Sequence, residues 1–133
     1  MQYAHYSVIK YVSDFARNEP VNIGIVAWFD GNVEIRFSEQ AFARVLAATP
    51  DFAPDAFDGY AHYIRQRLIV NWPKNDDDAH RFLCHCVRGA EVVTDAFKTA
   101  INEDLPIPMA LAENVDRLMQ RLVEVTPREA ANA

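Results

Sequence analysis

Strand-like patterns open the chain. Tyr6–Val12, YSVIKYV, and Val21–Phe29, VNIGIVAWF, are rich in β-branched and aromatic residues, the types that suit a pleated, packed surface. In the second stretch Val21, Ile23, Ile25, Ala27 and Phe29 fall on one side and Val26 and Trp28 on the other. Both faces therefore require cover, which places this strand at the centre of a sheet. Gly24 leaves room there for a close approach. A third segment alternates Val33, Ile35 and Phe37 with Glu34 and Arg36, the pattern of a strand with one solvated face. The link between the last two, Asp30-Gly31-Asn32, is made of residues that tolerate positive φ, so the pair is predicted to be a hairpin.

From Ser38 the period becomes helical. Ser38 suits an N-cap, with Phe42, Val45 and Leu46 at helical spacing before Thr49-Pro50. A longer helix is predicted from Pro54, with Phe57, Tyr60, Ala61, Ile64 and Leu68 as its apolar stripe. NWPKNDDD, residues 71–78, interrupts the chain, and Asp76 or Asp77 is expected to cap a helix carrying Ala79, Phe82, Leu83, Cys86 and Val87, closed by Gly89. Glu91–Thr94 and Phe97–Ile101 are shorter strand candidates. Leu111, Val115, Leu118, Met119, Leu122 and Val125 mark a terminal amphipathic helix whose Arg117 and Arg121 point away from the core. The pattern predicts a single α+β domain over residues 1–126, a small antiparallel sheet opening as a three-stranded meander and packed with about four helices. The Ala-rich stretch 127–133 is expected to be a flexible tail.

Composition narrows the function classes. A chain of 133 residues, 50% apolar, suffices for one core and can bury roughly two thirds of its unfolded surface. A net charge of −6, with 13 basic residues scattered singly, works against binding a phosphate backbone. Cys84 and Cys86 stand too close together for an ordinary structural disulfide, which fits a reducing cytoplasm. The first twenty residues lack an unbroken apolar core, and no apolar run reaches the ~18 residues of a membrane span.

Candidate chemistry gathers at the start of the second strand. Arg17, Glu19 and Asn22 sit where the first two strands join, and Glu19 has the character of a general base or metal ligand if a pocket forms there. An Arg–Glu pair also ties loops, Asn22 can satisfy turn backbone groups, and one acid without a matched second group is incomplete chemistry. DDDAHRFLCHC places His80 and Cys84 one helical turn apart, but Cys86 points about 160° away from Cys84 by helix geometry. No metal site is expected, and the aspartates read as a solvated helix start favoured by the N-terminal dipole. Cys84 paired with His62 or His5 has no local nucleophile signature, and four glycines leave little for a phosphate-cradling loop. The aromatic and Arg side chains of YAHYIRQRLIVNW suit base stacking, but more commonly fill a core and snorkel.

The stretch YSVIKYVSDFARNEPVNIGIVAWF resembles the N-terminal signature of a bacterial domain family of unknown function. There a Tyr-Ser strand, a loop with Arg and Glu, and a Val-Asn-Ile-Gly strand follow in that order. Tyr6, Ser7, Tyr11, Arg17, Glu19, Asn22 and Gly24 match, and VDRLMQRLVE, residues 115–124, resembles the closing helix. Ser13 and Phe15 stand where a Pro-containing pair is expected, and residues 50–90 carry no resemblance. Members are often encoded beside a kinase resembling the HipA-type serine/threonine kinases. The resemblance thus implies a partner protein and brings no enzymatic activity or cofactor. The expectation is a non-catalytic protein-interaction module, a regulator or inhibitor of a partner such as a kinase-like toxin. Trp72, Asp76, Asp77 and Asp78 are its expected contact residues, and Arg17, Glu19, Asn22 and Gly24 are motif residues of open role. The alternatives are a small hydrolase or nuclease built on Glu19, and a small-ligand sensor with a cavity between sheet and helices.

Overall fold

The computed structural model describes residues 2–12, 20–41, 43, 54–86, 91–92 and 97–123. Strands β1 (Tyr3–Val12), β2 (Pro20–Phe29) and β3 (Asn32–Phe37) follow one another as an antiparallel meander. Helices α1 (Pro54–Val70) and α2 (Asp76–Cys86) come next, then the short strands β4 (Glu91–Val92) and β5 (Phe97–Ala100). Helix α3 (Ile107–Leu118) continues into a π-helical turn, Met119–Val123. The sheet runs β3-β2-β1, and the other edge of β1 is shared: β5 pairs with Tyr3–Tyr6 and β4 with Ile9 and Lys10, all antiparallel. The expected α+β domain forms, and both short strand candidates join its sheet.

Every residue from Ile23 to Trp28 is buried, so β2 is covered on both faces. Register assigns the faces. Tyr6 opposite Ala27 and Val8 opposite Ile25 share one; His5 opposite Trp28 and Ser7 opposite Val26 share the other. Helix α3 packs over β2 and β3 on the first face, where Arg36, opposite Ile25, forms an ion pair with Asp116 of α3. On the second face Trp72, just after α1, lies 5.7 Å from Trp28 between ring centroids, and His80 of α2 lies 6.3 Å from it. Ile64 and Leu68 of α1, Ala79 and Leu83 of α2, and Leu111 and Val115 of α3 are all buried. Each large aliphatic among them contributes about 1.5–3 kcal/mol by leaving water.

One feature of β2 departs from simple alternation. Ile9 pairs with Gly24 but Lys10 pairs with Asn22, so Ile23 is an extra residue, a β-bulge. The bulge transfers Asn22 from the Val26–Trp28 side, where strict alternation puts it, to the side covered by α3. There its Nδ2 donates to the Leu122 carbonyl at 2.9 Å, tying β2 to the π turn. Beside the bulge, a Cβ on Gly24 would lie 2.8 Å from the Arg36 carbonyl oxygen and 2.9 Å from the Phe37 ring. The Phe37 side chain occupies the space that Gly24 vacates.

The hairpin tip is a two-residue turn with φ of 49° at Asp30 and 81° at Gly31, the type I′ geometry that matches strand twist. Both turn amides have an external acceptor. The Asp76 carboxylate takes the Asp30 N–H at 2.7 Å and the Gly31 N–H at 3.2 Å, tying α2 to the hairpin. Asp76 is therefore occupied, and the N-cap of α2 is Asn75, whose Oδ1 accepts from the Asp77 N–H at 3.0 Å, in place of the expected Asp76 or Asp77.

Ser38 caps as expected, its Oγ accepting from the Ala41 N–H at 3.2 Å, with residues 39–41 and 43 helical. The expected ends at Thr49-Pro50 and Gly89, Val125 and residues 127–133 lie outside the described residues. Helix α3 starts before the apolar stripe does, with Pro106 at its N-cap and Pro108 in its first turn. The wider π turn buries Met119 and Val123 and leaves Leu122 half-buried, where an uninterrupted α-helical stripe put Leu122 inside.

Asn22→Ala should lower stability by about 0.5–1.5 kcal/mol through the lost bond to Leu122, and Gly24→Ala by about 1–3 kcal/mol through overpacking against Phe37. Urea denaturation of each variant measures both. Asp76→Ala should cost about 1–2 kcal/mol by leaving the turn amides without their charged acceptor. Amide exchange at Asp30 and Gly31 should accelerate in that variant while α3 keeps its protection.

Candidate functional site

The residues expected to meet a partner converge at the start of α2, but they divide in role. Trp72, one of the expected contact residues, is half-buried: its ring lies against Trp28 and meets Phe82 edge-on at 5.8 Å. Its neighbours in sequence are polar, but Trp28 on β2 supplies an apolar surface that the ring covers. Asp76 is committed to the hairpin turn. Asp77 and Asp78 are exposed. Asp78 lines an open groove of about 540 Å³ with Asn71, Pro73, Arg81, Phe82 and His85. Immediately before Asn71, the last residues of α1 present apolar surface to solvent, Ile69 at 53% and Val70 at 71% exposure. Sequence reasoning passed over both because they extend the apolar run begun by Leu68; their phase on α1 carries them away from the Ile64–Leu68 stripe.

Beneath this surface lies a cluster of aromatic rings and buried polar atoms. His5 stacks on Trp28 at 6.0 Å between centroids, and His5 Nδ1, Ser7 Oγ, Trp28 Nε1 and Trp72 Nε1 are buried without a hydrogen-bond partner. Cys84 Sγ lies 3.8 Å from His80 Nε2. The imidazole beside it is thus that of His80 and not of the weighed partners His5, which stacks on Trp28, or His62, which is exposed on α1. Partial burial pushes the Cys84 thiol up from its ordinary value, which keeps its proton on and weakens it as a nucleophile. Cys86 is packed in the core at 4% exposure, away from Cys84, which is exposed. Among the described residues no three His, Cys, Asp or Glu side chains gather to hold a metal ion.

Of the motif residues, Asn22 joins β2 to the π turn and Gly24 accommodates Phe37, while Arg17 and Glu19 lie outside the described residues. Tyr6 packs on Phe97 of β5 at 5.4 Å, holding that short strand to β1. No described helix is long and apolar enough to cross a membrane.

Comparison with known proteins adds one finding. No curated protein and no solved structure matches the chain. The profile of DUF3037, described as a protein of unknown function, matches residues 6–125, an extent that takes in β2 to β5, α1 to α3 and most of β1. The chain therefore belongs to the DUF3037 family, whose function is unknown.

Proposed function

We propose that this chain is a non-catalytic protein-interaction module that engages a partner through the end of α1, the start of α2 and the groove between them. The observation that carries this is the exposure of Ile69 and Val70, which directly precede Asn71 of a groove lined also by Pro73, Phe82 and Asp78, with Asp77 exposed next to Asp78 in the chain. Apolar side chains held in solvent next to a concave surface, with charges at the edge, have the make-up of an interface core and rim. The groove carries Arg81 and His85 as well, so its charge is mixed. A partner that fits inserts an apolar side chain and brings basic residues to Asp77 and Asp78. The likeness of the opening motif to a family encoded beside HipA-type kinases makes a kinase-like protein the partner class to test first, with regulation or inhibition as the outcome of binding.

Roles within the surface differ from those that sequence alone suggests. Trp72 and Asp76 hold the surface in shape, Trp72 by packing on Trp28 and Asp76 by fixing α2 to the hairpin. The direct contacts then fall to Ile69, Val70, Asp77 and Asp78.

The test is a pull-down from the host cell followed by surface plasmon resonance against the recovered protein. Ile69→Ala with Val70→Ala should weaken binding about tenfold or more, chiefly through faster dissociation. Asp77→Asn with Asp78→Asn should slow association and flatten its salt dependence while dissociation changes less. Normal rates in both double variants, with folding confirmed by circular dichroism, would place the interface elsewhere and end this proposal.

A further inference from the structure

A second concave surface lies on the opposite face of the sheet, between β5 and the end of α3. It encloses about 380 Å³ and is lined by Thr99, Asn114, Arg117, Leu118, Gln120 and Arg121. In a chain of net charge −6, two guanidinium groups and no acid line it. Asp116, the acid beside them in sequence, is ion-paired with Arg36 over β3.

Asn114 is the informative residue. It stands within the apolar stripe of α3, at 1% exposure, between Leu111 and Val115. Its Oδ1 accepts from the Arg117 guanidinium. Because a guanidinium has only donors, this bond fixes the amide orientation and leaves Nδ2 as the free end. That Nδ2 is buried without a partner. A buried amide donor is costly to leave unpaired, and the groove it lines offers further donors but no carboxylate.

Basic residues near a helix C-terminus often do no more than complement its dipole. That accounts for Arg117 and Arg121 but not for an unpartnered Asn114 Nδ2 beneath them. The π turn already receives one donor, since Asn22 donates to the Leu122 carbonyl. The π turn carries Gln120 and Arg121, and such turns recur at functional sites.

We propose that this groove binds a small oxyanion, a carboxylate or phosphate group on a small molecule. Arg117 and Arg121 hold it by charge-assisted hydrogen bonds at the mouth, and Asn114 Nδ2 and the Thr99 hydroxyl hold it at the floor. The site is independent of the protein-binding surface at α1 and α2, which lies across the sheet.

The experiment is a titration of the full-length ¹⁵N-labelled protein in Tris-chloride at constant ionic strength, with inorganic phosphate in one arm and succinate in the other. The expected result is a saturating shift of the Asn114 side-chain amide pair together with the Thr99 and Arg121 backbone amides. Saturation by phosphate alone assigns the phosphate class, by succinate alone the carboxylate class, and by both the shared oxyanion chemistry. Arg121→Gln should weaken the apparent Kd about tenfold, whereas Arg65→Gln on exposed α1 should leave it unchanged. Shifts that rise linearly to about 10 mM in both arms, or an equal response of the two variants, would overturn the proposal and leave only charge screening.

Discussion

The burial of β2 on both faces is the constraint on which the rest of this fold depends. From Ile23 to Trp28 no side chain reaches solvent, so a layer of helix is required on each side of a sheet this small. Helix α3 supplies one layer; α1, α2 and the Trp72 segment supply the other. Each layer is also tied down by a polar contact to β2 or its turn. Asn22 reaches the Leu122 carbonyl after α3, and Asp76 reaches the Asp30 and Gly31 amides. These bonds are individually worth only about 1 kcal/mol, well below the burial they accompany, but they are directional and so fix where the helices sit.

That division of labour answers why polar residues crowd the entry to an apolar hairpin. Asn22 precedes the buried run, and the bulge at Ile23 turns it toward the Leu122 carbonyl. Gly24 follows because Phe37 lies across its position. Both motif positions thus have a geometric reason that requires no ligand. The surfaces with unmet chemistry lie elsewhere: the exposed apolar end of α1 on one face, and the Asn114–Arg121 groove on the other.

Much of the fold was legible because its signals are local. The hairpin followed from Asp30-Gly31 and the alternation after it, and the central place of β2 followed from apolar residues in both phases. The bulge was not legible, since it is a property of the pairing between β1 and β2 and leaves no mark on β2 alone. The partial burial of Trp72 was hidden for a related reason: its neighbours in sequence are polar, but its neighbour in space is Trp28. Asp76 looked like one of three equivalent helix-start acids, and only the hairpin turn distinguishes it. Asn114 was the signal most open to sequence reasoning and passed over, a polar residue at a position where the stripe of α3 calls for an apolar one.

Native-state hydrogen exchange along β2 tests the central claim most directly. If burial on both faces makes this strand the keystone, the amides of Ile25, Val26 and Ala27 should exchange only through global unfolding, with the opening free energy and denaturant dependence of the whole domain. The amides at the exposed end of α1 should open earlier and more cheaply. Exchange of the β2 amides through a smaller local opening, while α3 stays protected, would contradict the account.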